Sequence, residues 1–266
     1  MSLDYQNKKW TKEVAEFNKY KKEVGGIYNR NELHAINMFL KSQNKDYLRL
    51  YSRLFSTYRV IAMNLYLEGL NNKKCKDYSY LSGIALILSK IMYDNGIRTE
   101  HNNIIENCIQ ELDFALYEMI SCDEVNVPFL KEDDNNLISL VLHQKYEKAK
   151  EILCELPDDV DESKEVYYVS PVFLKKIYLA IINHDEKLFN NELAKRIEKY
   201  RRNMVGYSTI IDIVSIALIK MAKLAGIECT IDVIEIPKVF FDESYIIDKD
   251  SIKLPFFDEF LKLNLF

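Results

Sequence analysis

Apolar residues recur every three or four positions along most of this chain, with polar residues filling the opposite side. In "YLRLYSRLFSTYRVIAMNLYLEGL", Leu50, Leu54, Tyr58, Ile61 and Leu65 keep that spacing and place one buried stripe on one helix. The same pattern runs through "ELHAINMFL" after Asn31, "YSYLSGIALILSKIMY" after Asp77, "EHNNIIENCIQELDFALYEMI" after Thr99 and "EKLFNNELAKRIEKY" after Asp185. Each run follows a residue whose side-chain oxygen accepts the orphan N–H groups of a first turn, so each helix is expected to begin there. Ser170-Pro171 adds a cap beside a proline at a first helical position. Stops are expected at Asn95-Gly96 and Ala225-Gly226, where glycine takes the left-handed conformation that ends a helix. Only residues 227–236, and Tyr167-Tyr168-Val169, alternate as an extended chain does. The pattern predicts an all-α protein of about ten helices packed as helical hairpins, with a short extended segment near 227–236.

The hairpins resemble one another. "LISLVLHQKYEKAKEIL" and "IYLAIINHDEKLFNNEL" each read as an apolar helix, a polar hinge with a histidine (His143, His184) and an amphipathic helix. "NMFLKSQNKDYLRLYSRLF" has the same layout without the histidine. A period of about 40 residues suggests layered helix hairpins, although no repeat consensus survives. The charged, proline-bearing stretch "SCDEVNVPFLKEDDNN" marks a seam near 123–133 inside one domain, between an N-terminal lobe of about 1–122 and a C-terminal lobe of about 134–266. "ELPDDVDESKEVYY" is a second break, again of loop length.

Charge changes this picture little. Thirty-six lysines and arginines against 41 acids leave a net charge of −5, which argues against nucleic acid as a partner. The basic run Lys195 to Arg202 reads as cations opposing the carbonyl end of a helix. The first residues, "MSLDYQNKKWTKEVAEF", lack the apolar core of a signal peptide. The greasiest windows, "YLSGIALILSKIMY" and "IIDIVSIALIKMA", fall short of the roughly 18–20 residues of a membrane span, and a lysine or aspartate breaks each. Five scattered cysteines, Cys75, Cys108, Cys122, Cys154 and Cys229, read as small hydrophobes in a reducing compartment. The expectation is a cytoplasmic protein with no membrane partner.

Candidate chemistry is sparse. The glycine spacing of nucleotide-binding loops is absent, as are the nucleophile elbow and the H-E-x-x-H helix. His34, His101, His143 and His184 lie far apart, and no cysteines have C-x-x-C spacing. His184-Asp185-Glu186 reads as a hinge and cap, since consecutive helical residues point in different directions. "DDVDES" at 158–163 lacks the glycine and closing glutamate of a calcium loop. Arg30 with His34, and Arg98 with His101, are spaced too closely for the pair that helical ribonucleases carry, and both straddle an expected helix start. No catalytic residue, metal ligand or cofactor is expected. Eighteen tyrosines against one tryptophan place most tyrosines in the core with their hydroxyls at its rim; some remain for an interface. The acidic loop 155–165 is either a solvated turn or a surface that steers a basic partner.

"ALIKMAKLAGIECTIDVIEIP", Ala217 to Pro237, resembles a signature of the bacterial Immunity protein 49 family. Ala217, Leu218, Ala222, Gly226, Ile227, Ile236 and Pro237 fit it without a gap. "IYLAIINHDEKLFNNELAKRIEKY" is similar to that family's penultimate hairpin, so the likeness covers roughly residues 170–240. It implies a helical, non-catalytic, cofactor-free immunity protein that occludes a cognate toxin domain. Asp158, Asp159, Asp161, Glu162, Tyr167 and Tyr168 are the residues expected to touch that toxin. A helical-hairpin scaffold that binds peptides, and less readily a helical nuclease, are the alternatives.

Overall fold

The computed structural model describes residues 25–69, 72–94, 112–123, 136–157, 171–203 and 210–263. Among them the chain forms ten α-helices, one 3₁₀ turn and no strand, so the protein is all-α. In order these are α1 (Gly25–Lys41), α2 (Tyr47–Glu68), α3 (Lys74–Asp94), α4 (Leu112–Ser121), α5 (Leu137–Leu142), α6 (Tyr146–Glu155), α7 (Pro171–Ile182), α8 (Glu186–Asn203), α9 (Ile213–Leu224), the 3₁₀ turn Lys238–Phe241, and α10 (Phe257–Leu261).

α2 carries the expected stripe: Leu50, Leu54, Tyr58 and Ile61 are buried and Leu65 packs against them. Tyr51, Phe55, Met63 and Tyr66 are buried as well. The reason is position: α2 lies between α1 and α3 and has apolar neighbours on two sides. α4 packs on α3 and on α9, and α9 also touches α5 and α7, so one apolar cluster runs through both halves of the chain.

Two starts differ from expectation. α1 begins at Gly25, six residues before Asn31, and exposed Asn31 lies inside it. The longer amphipathic run absorbs a residue that would cap a shorter helix. α3 likewise begins at Lys74, leaving Asp77 in its first turn, where the dipole favours a carboxylate. Other starts agree: Pro171 opens α7, and Asp185 accepts from the Leu188 N–H at 2.9 Å to cap α8. The starts at Thr99 and Ser170, the stop at Asn95-Gly96 and the extension at Tyr167-Tyr168-Val169 lie outside the described residues.

The hairpin likeness holds, but not through the histidines. In each hinge the chain turns through one left-handed residue, Gln144 (φ 57°) between α5 and α6 and His184 (φ 53°) between α7 and α8. Each hinge closes with a bond back to the preceding helix, Lys145 N–H to Leu140 O at 2.8 Å and Asp185 N–H to Ala180 O at 2.9 Å. His143 sits one place earlier, as the C-cap of α5. α1 and α2 meet in a comparable hinge, with Lys45 left-handed (φ 45°) and Asp46 as N-cap.

α9 ends as expected, with Gly226 at φ 77° and Ile227 N–H returning to Ala222 O at 2.9 Å. From Ile227 to Val233 the side chains alternate inward and outward, yet among the described residues no second strand pairs with them. Beyond the 3₁₀ turn the chain returns to the first hinge. There Phe256 meets Phe39 at 4.7 Å between ring centroids, and Phe260 meets Tyr51 at 5.3 Å.

Candidate functional site

Three places concentrate polar side chains: the joint around residues 227–237, the contact of α3, α4 and α9, and the groove between α1 and α2.

At the joint, an extended segment with no partner strand among the described residues satisfies its backbone mostly through side chains. Asn190 on α8 does this as a neighbouring strand would, donating to Glu228 O and accepting from Thr230 N–H, at 2.9 and 2.8 Å. Glu186 accepts from the Glu228 N–H, Tyr66 of α2 donates to Ile234 O at 2.7 Å, and Asp212 N–H donates to Glu235 O at 2.8 Å. Two buried ion pairs lie beneath. Arg201 grips Glu235 through two nitrogens, the second bond 2.8 Å long. Arg196 bonds Asp212 and Ser215, and Asp212 also caps α9 through the Ser215 N–H. Nε and Nη2 of Arg196 are buried without a hydrogen-bond partner. The basic run is therefore more than helix-end charge. It does end α8, but Arg196 and Arg201 turn inward to acids, while Lys195 pairs with Glu192 at the surface.

At the second place Glu118 of α4 is fully enclosed. Ser82 of α3 donates to both its oxygens at 3.2 and 3.0 Å, and the charge of Arg59 on α2 favours its ionised form. Burial dominates and lifts its pKa to about 7. Close by, Asp123 ends the α4 segment and joins Lys76 of α3, at 2.5 Å, to Lys220 of α9. Burial opposes its charge, but the two ammonium groups prevail and hold its carboxyl below the usual range. Lys220 also donates to Ser121 O at 2.7 Å, and desolvation lowers its pKa. Burial pushes the Cys75 and Cys122 thiols up to about 12, which leaves both protonated at neutral pH. Cys154 is exposed and Cys229 half-buried; Cys108 lies outside the described residues.

The third place is a cavity of about 180 Å³ between α1 and α2. Its polar rim comes from Lys41, Arg49 and Arg53. No sequence motif announced it; the available signal was two arginines one turn apart on a helix whose nearest acid, Asp46, serves as a cap.

The residues expected to touch a toxin, Asp158, Asp159, Asp161, Glu162, Tyr167 and Tyr168, lie outside the described residues. Of the signature positions, Ala217, Leu218 and Ala222 are fully enclosed in α9, Ile227 and Ile236 are buried, Gly226 makes the left-handed turn, and Pro237 caps the 3₁₀ turn. Arg30 and His34 both fall inside α1 rather than across its start, because α1 begins early; His34 is exposed. Tyrosine hydroxyls reach partners at the rim of the core in Tyr58 to Glu32 at 2.6 Å and Tyr245 to Asp77 at 2.7 Å, whereas those of Tyr117 and Tyr178 meet each other inside it. Among the described residues, no group of three or more His, Cys, Asp or Glu could hold a metal ion. No described helix is long and apolar enough to cross a membrane. Comparisons with protein-family models, with characterised proteins and with solved structures found no match.

Proposed function

We propose that this chain is a cytoplasmic bacterial immunity protein of the Immunity protein 49 kind, which binds a cognate toxin domain and neutralises it by occlusion. The observation that carries the reading is the run Ala217 to Pro237, whose apolar positions, glycine and proline match that family's signature without a gap. The positions that match form one structural device, a buried helix, its left-handed stop and a docked extended segment. Such a device gives the rigidity that tight occlusion needs, because a preorganised surface loses little entropy on binding. In this reading the protein is not an enzyme, uses no cofactor and binds neither nucleic acid nor membrane. Asp158, Asp159, Asp161, Glu162, Tyr167 and Tyr168 are its proposed toxin contacts.

The test is rescue. The C-terminal domain encoded immediately upstream is expressed with and without this chain, and viable cells are counted. Survival only on co-expression, with the pair co-purifying at equal stoichiometry, is the expected result. A neighbour that kills regardless removes the cognate pairing. Helix hairpins and the α1–α2 groove favour a second reading, a scaffold that binds peptides. That reading predicts binding without protection.

A further inference from the structure

We infer that the groove between α1 and α2 is a docking site for a protein segment carrying a glutamate or aspartate beside an apolar side chain. The inference does not rest on the immunity reading; it concerns the chemistry of the occupant, whichever protein supplies it.

The groove has two parts with different chemistry. Its floor is Ala35, Phe39 and Leu50, all buried. Phe39 is backed by Tyr47 and Phe256, at 4.8 and 4.7 Å between ring centroids, so the floor is held from behind. Its rim is Lys41 at the end of α1, with Arg49 and Arg53 one turn apart on α2. Residues four apart on a helix stand side by side, so the two guanidinium groups face the same space.

The other polar groups of the groove are engaged in closing the hinge. Ser42 donates to Phe39 O at 2.7 Å and accepts from the Asp46 N–H at 3.2 Å. Asp46 accepts from the Arg49 N–H at 2.9 Å as the cap of α2. Lys45, next to the groove, is paired with Glu259 at 2.9 Å. Lys41, Arg49 and Arg53, by contrast, have no carboxylate within ion-pair distance among the described residues. Lys76, Arg196, Arg201 and Lys220, in the interior, each meet an acid. On a chain of net charge −5, three cations against the single carboxylate of Asp46 around one concavity leave a local positive field.

Size selects the occupant. A cavity of about 180 Å³ compares with the roughly 150 Å³ that holds one benzene ring. It falls below the roughly 300–1,000 Å³ of small-molecule sites. One apolar side chain fills it, and a carboxylate beside that side chain reaches the paired arginines, whose planar forks match a carboxylate. The charges thus specify an acidic segment, and the floor specifies its apolar neighbour.

The test is an NMR titration of the full chain labelled at methionine methyl groups, with Met38 in the groove as reporter. The probes are blocked peptides with Leu-Glu, Gly-Glu or Leu-Gln at the centre of a glycine run, and inorganic phosphate at constant ionic strength. The expected result is a saturable shift of Met38 with the Leu-Glu peptide and much weaker shifts with the other two peptides. Replacing both Arg49→Ser and Arg53→Ser is expected to weaken binding about tenfold or more, the worth of a lost charge-assisted pair. Lys41→Glu, at an exposed position, serves the same purpose if the double variant fails to fold. Lys238→Glu, an exposed cation elsewhere, is expected to change nothing. The proposal is overturned if Met38 stays unmoved to about 10 mM peptide. It is equally overturned if Leu-Gln or phosphate alone shifts Met38 as strongly as Leu-Glu, or if the arginine and lysine variants bind as well as the parent chain.

Discussion

Glu118 and Glu235 are both completely buried, but the chain treats them in opposite ways. Glu235 lies in an extended segment and is gripped by Arg201 through two nitrogens. Glu118 lies on a helix, with a serine hydroxyl on its carboxylate and the Arg59 charge as its main electrostatic support. The difference follows from the backbone. A helix satisfies its own N–H and C=O groups, so α4 stays in place through apolar packing and tolerates an unmatched acid. The segment 227–237 has no such ladder among the described residues, and side chains do most of the fixing; the bidentate pair is part of it. Where the backbone is self-sufficient, buried charge is incidental to the architecture; where it is not, buried charge forms the architecture.

The largest effect is therefore expected at the joint. Glu235→Gln keeps the shape but leaves Arg201 buried beside a neutral partner. Removing one member of a buried pair costs about 3–5 kcal/mol, which should appear as a fall in denaturation midpoint without a change in slope. An unchanged midpoint would mean that the segment is held by packing alone.

Glu118→Gln should behave in the opposite sense. The folded-state pKa, about 7, lies above the ordinary 4.5, so the folded chain holds this proton more firmly than the unfolded chain does. Its stability contribution is fully present below pH 4.5 and is lost as pH rises through about 7, a change of about 3 kcal/mol. The glutamine variant cannot ionise. It should lose that part of the pH dependence and exceed the parent chain in stability above pH 8. Parallel curves for the two proteins between pH 4 and 9 would show that the carboxylate is already ionised in the fold.

Much of this architecture was legible in the chain. The stripe of α2, the helix starts at Pro171 and after Asp185 and the stop at Gly226 all follow from local rules of spacing and capping. The early starts of α1 and α3 were not, because caps compete with helix extension and the outcome depends on apolar neighbours distant in sequence. The ion pairs escaped for a related reason. Nothing local distinguishes Arg196 and Arg201, which turn inward, from Lys195, which does not. The α1–α2 groove is harder still, since a cavity belongs to no residue and its cations gather around it only through the packing of two helices.

The smallest effect expected concerns the entry to the joint. Gly226 stands at φ 77° with open space where a Cβ would go, so a substitution there meets backbone strain and no crowding. Gly226→Val should cost about 1–2 kcal/mol, the price of a left-handed conformation with a β-branched side chain. Gly226→Asn should cost less, because asparagine tolerates that region. The same fold already holds Gln144 and His184 in that conformation at the α5–α6 and α7–α8 hinges. Those hinges join helix to helix, and His184 recovers part of the cost through a 2.8 Å bond to Ala225 O. Gly226 instead launches a segment that depends on every later contact. Strain at this point should therefore also loosen the Asn190 clip and speed hydrogen exchange at the Thr230 amide. If Gly226→Val lowers the melting temperature while Thr230 exchanges as before, the joint is fixed by its ion pairs alone and the turn merely precedes it.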